Sequence, residues 1–387
     1  MKKLILITAL CFASTITLAQ NNSATVVQEN NNNSAIANQS GSNNTATLLQ
    51  QVKNNDADID QIGGGNFLQN SINGNGNPLY AIQRASSFLY LDQIGDNNIV
   101  GLYQNNQKNA ATIHQIGNLN NADVSQVAFG GVVNGNDTYL WQEGTYNKTQ
   151  VRQGISGGNH SDNYVNIEVL GNNNGNSGQG SAGDDWMLVE QYGDFNNADI
   201  EIEGNNNDVD VYQAGDNNDA SSDVFNASSN NEVNLTQMNG NANRASYRIG
   251  DGQNNNQALM QDGSQNRSHV QILSGADDNI SMITQTGINN RGLWVISGGN
   301  TYLNSLTVAT TGDDNKATGL IKGNNNTILL TQTGFDNLIG ISGQWNAKDG
   351  VVVDGDLNTI TITQTTNLNQ ADVNITGNNN TATISQN

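Results

Sequence analysis

The chain has 387 residues, a formal net charge of -21, 42 glycines, one proline, one cysteine and only 5% aromatic residues. That acidic excess excludes a general binder of nucleic acid or anionic membrane, because such polyanions repel it. A chain so poor in bulky apolar residues does not build two or three ordinary globular cores. What is left is a disordered chain or a repeat solenoid with a thin polar interior.

Residues 1–19 read as a secretory signal peptide: Lys2 and Lys3, an apolar run from Leu4 to Leu18, and Thr17-Leu18-Ala19 before Gln20. The run is too short for a membrane anchor, and no later segment is expected to span a membrane as a helix. Cys11 leaves with this peptide, so the mature chain is expected to hold no disulfide.

From there a unit N-x-A-x-x-x-Q-x-G-x-x recurs every eleven residues. Its Gln positions begin Gln28, Gln39, Gln50, Gln61, and six residues before each stands Asn. Seven alternating residues make a strand. In Asn109 to Gln115 the inward set is Asn109, Ala111, Ile113 and Gln115; the outward set is Ala110, Thr112 and His114. The x-G-x-x that follows is a tight arc, where Gly takes backbone angles other residues avoid. Pro78 falls at a strand start, where a sheet tolerates it. The spacing predicts an all-β, parallel two-sheet β-solenoid, 11 residues per strand-turn unit and 22 per rung. It forms a single domain over residues 20–387, with an inserted loop around 171–184. About 31 strands at about 4.8 Å per rung imply a rod of roughly 70 to 75 Å.

Taking every second slot gives two series of nearly constant residue type, as expected if residues one rung apart are stacked neighbours. One runs Gln39, Gln61, Gln83, Gln104 and on to Gln332, then Val353 and Ile375. The other runs Gln28, Gln50, Ile72, Gln93, Gln115, Gln142, then Val169 to Ile321, Gly343, Gln364 and Gln386. Buried amides need partners, and stacked Asn and Gln supply them to one another. The expected core ladder includes Asn109, Gln115, Asn120, Gln126, Asn326, Gln332, Asn358, Gln364, Asn380 and Gln386.

The stretch Asn109-Ala-Ala-Thr-Ile-His-Gln115-Ile-Gly117-Asn-Leu-Asn120-Asn-Ala122-Asp-Val-Ser-Gln126 resembles the curlin repeat of curli fibre subunits, and the frame runs from Asn22 to Gln386. The resemblance implies a secreted bacterial subunit, or nucleator, of extracellular amyloid fibres used in biofilm matrix and adhesion. It also implies partners: other copies, curlin-like subunits and an outer-membrane export pore. The chain is longer than a typical curli subunit and replaces Gln by Ile or Val along part of one series.

Further candidate features lie on the surface. The chain stops inside its repeat at Gln386-Asn387, and the open strand edges at both ends are expected to accept another chain. Asp56, Asp58, Asp60, Asp208 and Asp210 are expected to point outward as gatekeepers against premature pairing. Arg244, Arg267, Arg291 and Lys316 occupy one position of successive rungs, after rungs carrying Glu168, Asp199, Glu201, Asp219 and Asp223. They are a candidate for lateral contact between filaments or for capture of acidic polymers. Thr45 and Thr47, and Thr359, Thr361, Thr363, Thr381 and Thr383, resemble the rows of ice-binding solenoids, interrupted where that face carries Tyr139 and Trp141. The alternative function is thus a monomeric adhesin or ice-binding module.

No metal site is expected. Asp96, Asp216, Asp278, Asp313 and Asp314 are ordinary turn residues, and a calcium-binding nonapeptide is absent. His114, His160 and His269 lie far apart in the frame, with no zinc spacing, phosphate loop or nucleophile elbow, so no enzyme activity and no cofactor are expected.

Overall fold

A computed structural model describes residues 21–28, 32–51, 54–69, 81–84, 87–105, 108–127, 135–154, 161–175, 186–273, 275–297, 301–340, 347 and 350–387. Residues 1–20, where a signal peptide with Cys11 is expected, lie outside them, as do Pro78, His160 and the stretch 176–185, which holds most of the expected inserted loop.

The described residues form two 16-stranded parallel sheets and one small two-stranded sheet, with no helix. Apart from levels split into two short strands and the small sheet, consecutive strands alternate between the two large sheets, and each pairs with the strand one rung away. Regular rungs are 22 residues apart, as from Gln28 to Gln50. Insertions lengthen the step, reaching 38 residues between Gln153 and Gln191. The parallel two-sheet solenoid expected from the eleven-residue period is therefore the fold.

Parallel sheets are normally covered on both faces. Here the outer faces meet solvent, and the strict alternation of residues makes that workable. Ala111, Ile113 and Gln115 are fully buried, while Ala110, Thr112 and His114 keep partial exposure. Inward Ile, Val, Leu and Ala from both sheets form one continuous core cluster. Each larger aliphatic side chain buried there contributes roughly 1.5–3 kcal/mol.

The turns need special backbone. Gly117 has φ +113, and a Cβ placed on it would meet the carbonyl O of Gly144, one rung on, at 2.0 Å. The residue just before nearly every ladder Asn is left-handed, Gly135 before Asn136 being an exception; Asn43, Asn97 and Asn206 fill it, and so do Leu119 and Phe195. Asn accepts that conformation easily, which explains much of the Asn content.

Two large side chains enter the core of the second sheet, the one containing Asn109 to Gln115. Tyr247 and Trp294 are fully buried. Each is admitted by a small neighbour in its own column: Ser222 pairs in register with Tyr247, and Gly319 with Trp294.

The assignment of slots to faces differs from the expected series at two places. Gln83 and Gln104 belong to the sheet of Gln28 and Gln50, and Gln93 follows Gln61. Val353 follows Ile321, and Gln364 follows Gln332. The cause is that Ile72 and Gly343 are not slots of the described sheets. The strands Phe67–Gln69 and Ala81–Arg84 share one level, as do Leu338–Ile339 and Val351–Asp354. Each insertion lies inside a rung and adds no half-rung. The first sheet thus carries Gln in every described slot but Thr310, and the second carries Gln only to Gln142.

Candidate functional site: the ladders and the two outer faces

The inward polar residues form two ladders of opposite polarity. In the Gln ladder the donor points to the next rung: Gln115 Nε2 donates to Gln142 Oε1 at 2.8 Å, and Gln126 to Gln153 at 3.0 Å. Gln332 donates to Gln364 at 3.0 Å, and Gln364 to Gln386 at 2.8 Å. In the Asn ladder the donors point to the previous rung. Asn120 N donates to Asn98 Oδ1, Asn136 N to Asn109 Oδ1, Asn326 Nδ2 to Asn304 Oδ1, and Asn358 N and Nδ2 both to Asn326 Oδ1. Asn380 N then donates to Asn358 Oδ1 at 2.9 Å. The ten expected ladder residues all take these positions.

The Asn ladder also closes the turns, since Asn120 Nδ2 donates to the carbonyl of Gly144 at 3.0 Å. Where the second sheet changes from Gln to Val169, Gln142 Nε2 turns to Thr149 Oγ1 at 2.9 Å. Ser87 takes an Asn slot and still bonds backward, its N donating to Asn55 Oδ1. The eleven-residue pattern, keyed to Asn, missed it.

The turn carboxylates have a structural use that sequence reasoning missed. Asp96 Oδ1 accepts from Gly64 N at 2.7 Å, Asp216 Oδ1 from Asp194 N at 2.9 Å and Asp313 Oδ1 from Ile288 N at 2.8 Å, each reaching one rung back. Among the described residues no three His, Cys, Asp or Glu side chains gather as a metal-ligand group. None of the helices required to cross a membrane occurs among them either.

The outer face of the second sheet is zoned along the rod. After the rung of Asp56, Asp58 and Asp60 comes an aromatic patch: His114 lies 5.2 Å from Tyr90, 6.0 Å from Tyr139 and 4.9 Å from Trp141 between ring centres. Asp92 sits 3.8 Å from His114 Nδ1. Burial raises the Asp92 carboxyl above the usual range, and His114 partly offsets this.

Next comes the acidic zone, Glu168, Asp199, Glu201, Asp219 and Asp223, on three consecutive rungs. Burial, then the neighbouring carboxylates led by Asp223, pushes Glu201 up. Burial also raises Asp223, with Arg248 opposing it. The basic zone follows at once. Arg244, Arg267, Arg291 and Lys316 pair in register down one column, as expected. Arg248 and His269 lie beside them. Burial, then the charge of Arg248, pushes the His269 imidazole down. Arg244 meets Asp219 across the zone boundary at 3.8 Å.

The outer face of the first sheet becomes uncharged toward its end. Thr359, Thr361 and Thr363 stand in register with Thr381, Thr383 and Ser385. Tyr139 and Trp141 do not interrupt this Thr face, because they belong to the other sheet. Its middle carries Asp123, Arg152 and Glu190 instead.

Of the five expected gatekeepers, Asp56 is exposed, and Asp58 and Asp60 are partly exposed on the outer face. Asp60 accepts from Asn38 Nδ2 at 2.8 Å. Asp210 is partly buried and accepts from Leu188 N at 3.1 Å. Asp208 departs from expectation: it stands at an outward position but is only 6% exposed, so it is no solvated gatekeeper.

A stack of near-identical rungs joined by amide ladders, with its variety confined to the outer faces, defines a repeat protein of the β-solenoid class. The curlin associated repeat matches residues 188–215, 204–238 and 355–387, so the chain carries curlin-type repeats over those stretches. No curated protein matches it.

Proposed function

We propose that this chain is a secreted, non-enzymatic structural subunit or nucleator of extracellular curli-like fibres, growing by addition of one solenoid end to another. Its partners would be further copies, other curlin-like subunits and an outer-membrane export pore. The observation that carries this reading is the polarity of the ladders at the two ends of the described stack. At the last rung Gln364 donates to Gln386 Oε1, and Asn358 Oδ1 accepts from Asn380. At the first, Gln28 Nε2 donates to Gln50 Oε1, and Asn22 Oδ1 accepts from Asn44 N. Among the described residues neither Gln28 Oε1 nor Asn380 Oδ1 accepts a ladder bond. A last rung stacked on a first rung would bring Gln386 Nε2 to Gln28 Oε1 and the Asn22 donors to Asn380 Oδ1, continuing both ladders in their own directions.

Apolar surface supports the same contact. Val26, on the first rung, faces inward yet is 40% exposed, and Ala382 and Ile384 on the last are half-buried. Core residues with no described rung beyond them favour another rung. The test is electron microscopy of purified protein incubated at micromolar concentration, with and without fibre seed, beside an Ala382→Arg, Ile384→Arg variant. Wild type should form fibres with the spacing near 4.8 Å of stacked strands, and the variant should fold but not elongate. Wild type that stays monomeric for days overturns the proposal.

A second reading rests on the Thr register of the last rungs: a flat Thr array on a monomer that binds ice. Thermal hysteresis by monomeric protein, lost in Thr361→Lys, would favour it.

A further inference from the structure

We propose that the outer face of the second sheet pairs with the same face of a second copy, the two rods running antiparallel, so that the acidic zone of each meets the basic zone of the other. The observation behind this is the order of charge along the rod. Three consecutive rungs carry Glu168, Asp199, Glu201, Asp219 and Asp223, and the next three carry Arg244, Arg248, Arg267 and Arg291. The whole sequence has only 14 Lys and Arg, so four arginines on three rungs are a concentration. The boundary between the zones falls between two adjacent rungs, those of Asp219 and Arg244.

A two-fold axis lying along the strand direction, between those rungs, keeps each column opposite itself and reverses the order of rungs. Arg244 then faces the second copy's Asp219, Arg248 its Asp223, and His269 its Asp199. Arg244 and Arg248, the two cations of the boundary rung, each meet a carboxylate, twice over by symmetry as an isologous interface requires, while Arg267 faces the second copy's Asn197 and Arg291 its Tyr164. The alternative two-fold, with the axis along the rods, keeps each rung opposite itself and reverses the columns, so over the central Ser221–Ser246 column Arg244 meets Arg248 and Asp219 meets Asp223, and like charges repel. Charge order therefore selects both the partner and its direction.

The surface has room for the contact. Ser221 and Ser246 are the small central residues of the two boundary rungs, and between the arginines they leave a shallow groove of about 580 Å³. Arg244 keeps 61% of its side chain exposed and Asp219 46%. Beyond Arg291 the zone ends, because Thr318 and Leu320 on the Lys316 rung are buried. Six rungs of about 4.8 Å by a seven-residue strand give a patch on the order of 600 Å² per copy, at the low end for specific interfaces, so pairing is weak and salt-sensitive.

This contact does not depend on end-to-end growth, and it is tested in the Ala382→Arg, Ile384→Arg background by sedimentation at about 20 mM and about 1 M salt. Dimers at low salt that dissociate at high salt are expected. Reversing the basic zone (Arg244→Glu, Arg267→Glu, Arg291→Glu) or the acidic zone (Asp199→Arg, Glu201→Arg, Asp219→Arg) should each weaken dimers roughly tenfold or more. Both reversals in one chain should restore them, a rescue that neither misfolding nor capture of an acidic polymer produces. Direction is read separately in a Cys11→Ser background. Asn166→Cys and Leu293→Cys chains should form disulfide-linked dimers when mixed and not when oxidised alone, because antiparallel pairing places those positions opposite each other. A monomer at low salt, cross-linking of either variant with itself alone, or failure of the double reversal to rescue overturns the proposal.

Discussion

Gln332 Oε1 is buried without a hydrogen-bond partner because the residue one rung before it, in register, is Thr310 rather than Gln. The threonine hydroxyl instead reaches the carbonyl of Thr284 at 3.4 Å. The Gln ladder is thus cut in two, between a segment ending at Gln285 and one running from Gln332 to Gln386.

Thr310→Gln is expected to rejoin it. The slots above and below hold Gln beside the same kind of aliphatic neighbours. The new amide would accept from Gln285 and donate to Gln332 Oε1. The gain should be about 1 kcal/mol, seen as a higher urea midpoint. An unchanged or lower midpoint would show that the ladder is not a stabilising unit.

The glycine turns predict a contrast. Gly117→Ala puts a Cβ at 2.0 Å from the Gly144 carbonyl oxygen in a backbone with φ +113. It should cost about 2 kcal/mol or more. Gly250→Ala, where the nearest atom is the Ile272 carbonyl oxygen at 3.9 Å, should be within about 0.5 kcal/mol of wild type. Urea unfolding of the two variants side by side checks this.

The Trp294 pocket predicts a rescue. A Cβ on Gly319 would lie 2.1 Å from the Trp294 ring, so Gly319→Val should destabilise strongly. Removing the ring as well, in Trp294→Val with Gly319→Val, should recover a roughly aliphatic column and much of the loss. The coupling between the two sites in a double-mutant cycle should exceed about 1 kcal/mol in the direction of rescue. Additive losses would contradict the assigned contact.

Stability should change with pH in two opposed windows. His269 is held below its usual value, so the unfolded chain takes up that proton first, and stability falls as pH drops through about 6.5. Asp92, Asp137, Glu201 and Asp223 are held above theirs. For them the folded chain takes up the proton first, so stability rises as pH falls through their raised values toward about 4. Thermal midpoints should dip just below neutrality and recover in mild acid, and His269→Gln should remove the dip.

Much of the fold was legible beforehand because the period is written twice, once in Asn and once in Gln. A seven-residue alternation such as Asn109 to Gln115 settles which side chains face inward, since a strand has period two. The column of Arg244, Arg267, Arg291 and Lys316 followed from the same frame. Two places resisted. Around Ile72 and Gly343 an insertion inside a rung has the length of a missing repeat, so a count along the chain slips by one sheet. Asp208 has an outward position by parity, but parity does not say what covers it.

Sequence alone therefore determined the strand, the turn, the inward set and the expectation that like residues stack, all consequences of local geometry repeated every eleven residues. Tertiary structure decided which Gln stands on which: that Gln364 follows Gln332 while Val353 follows Ile321. It also decided that the Asn and Gln ladders run in opposite directions. Register across an insertion and hydrogen-bond polarity along a column depend on residues a full rung apart in space, and no spacing along one strand contains them.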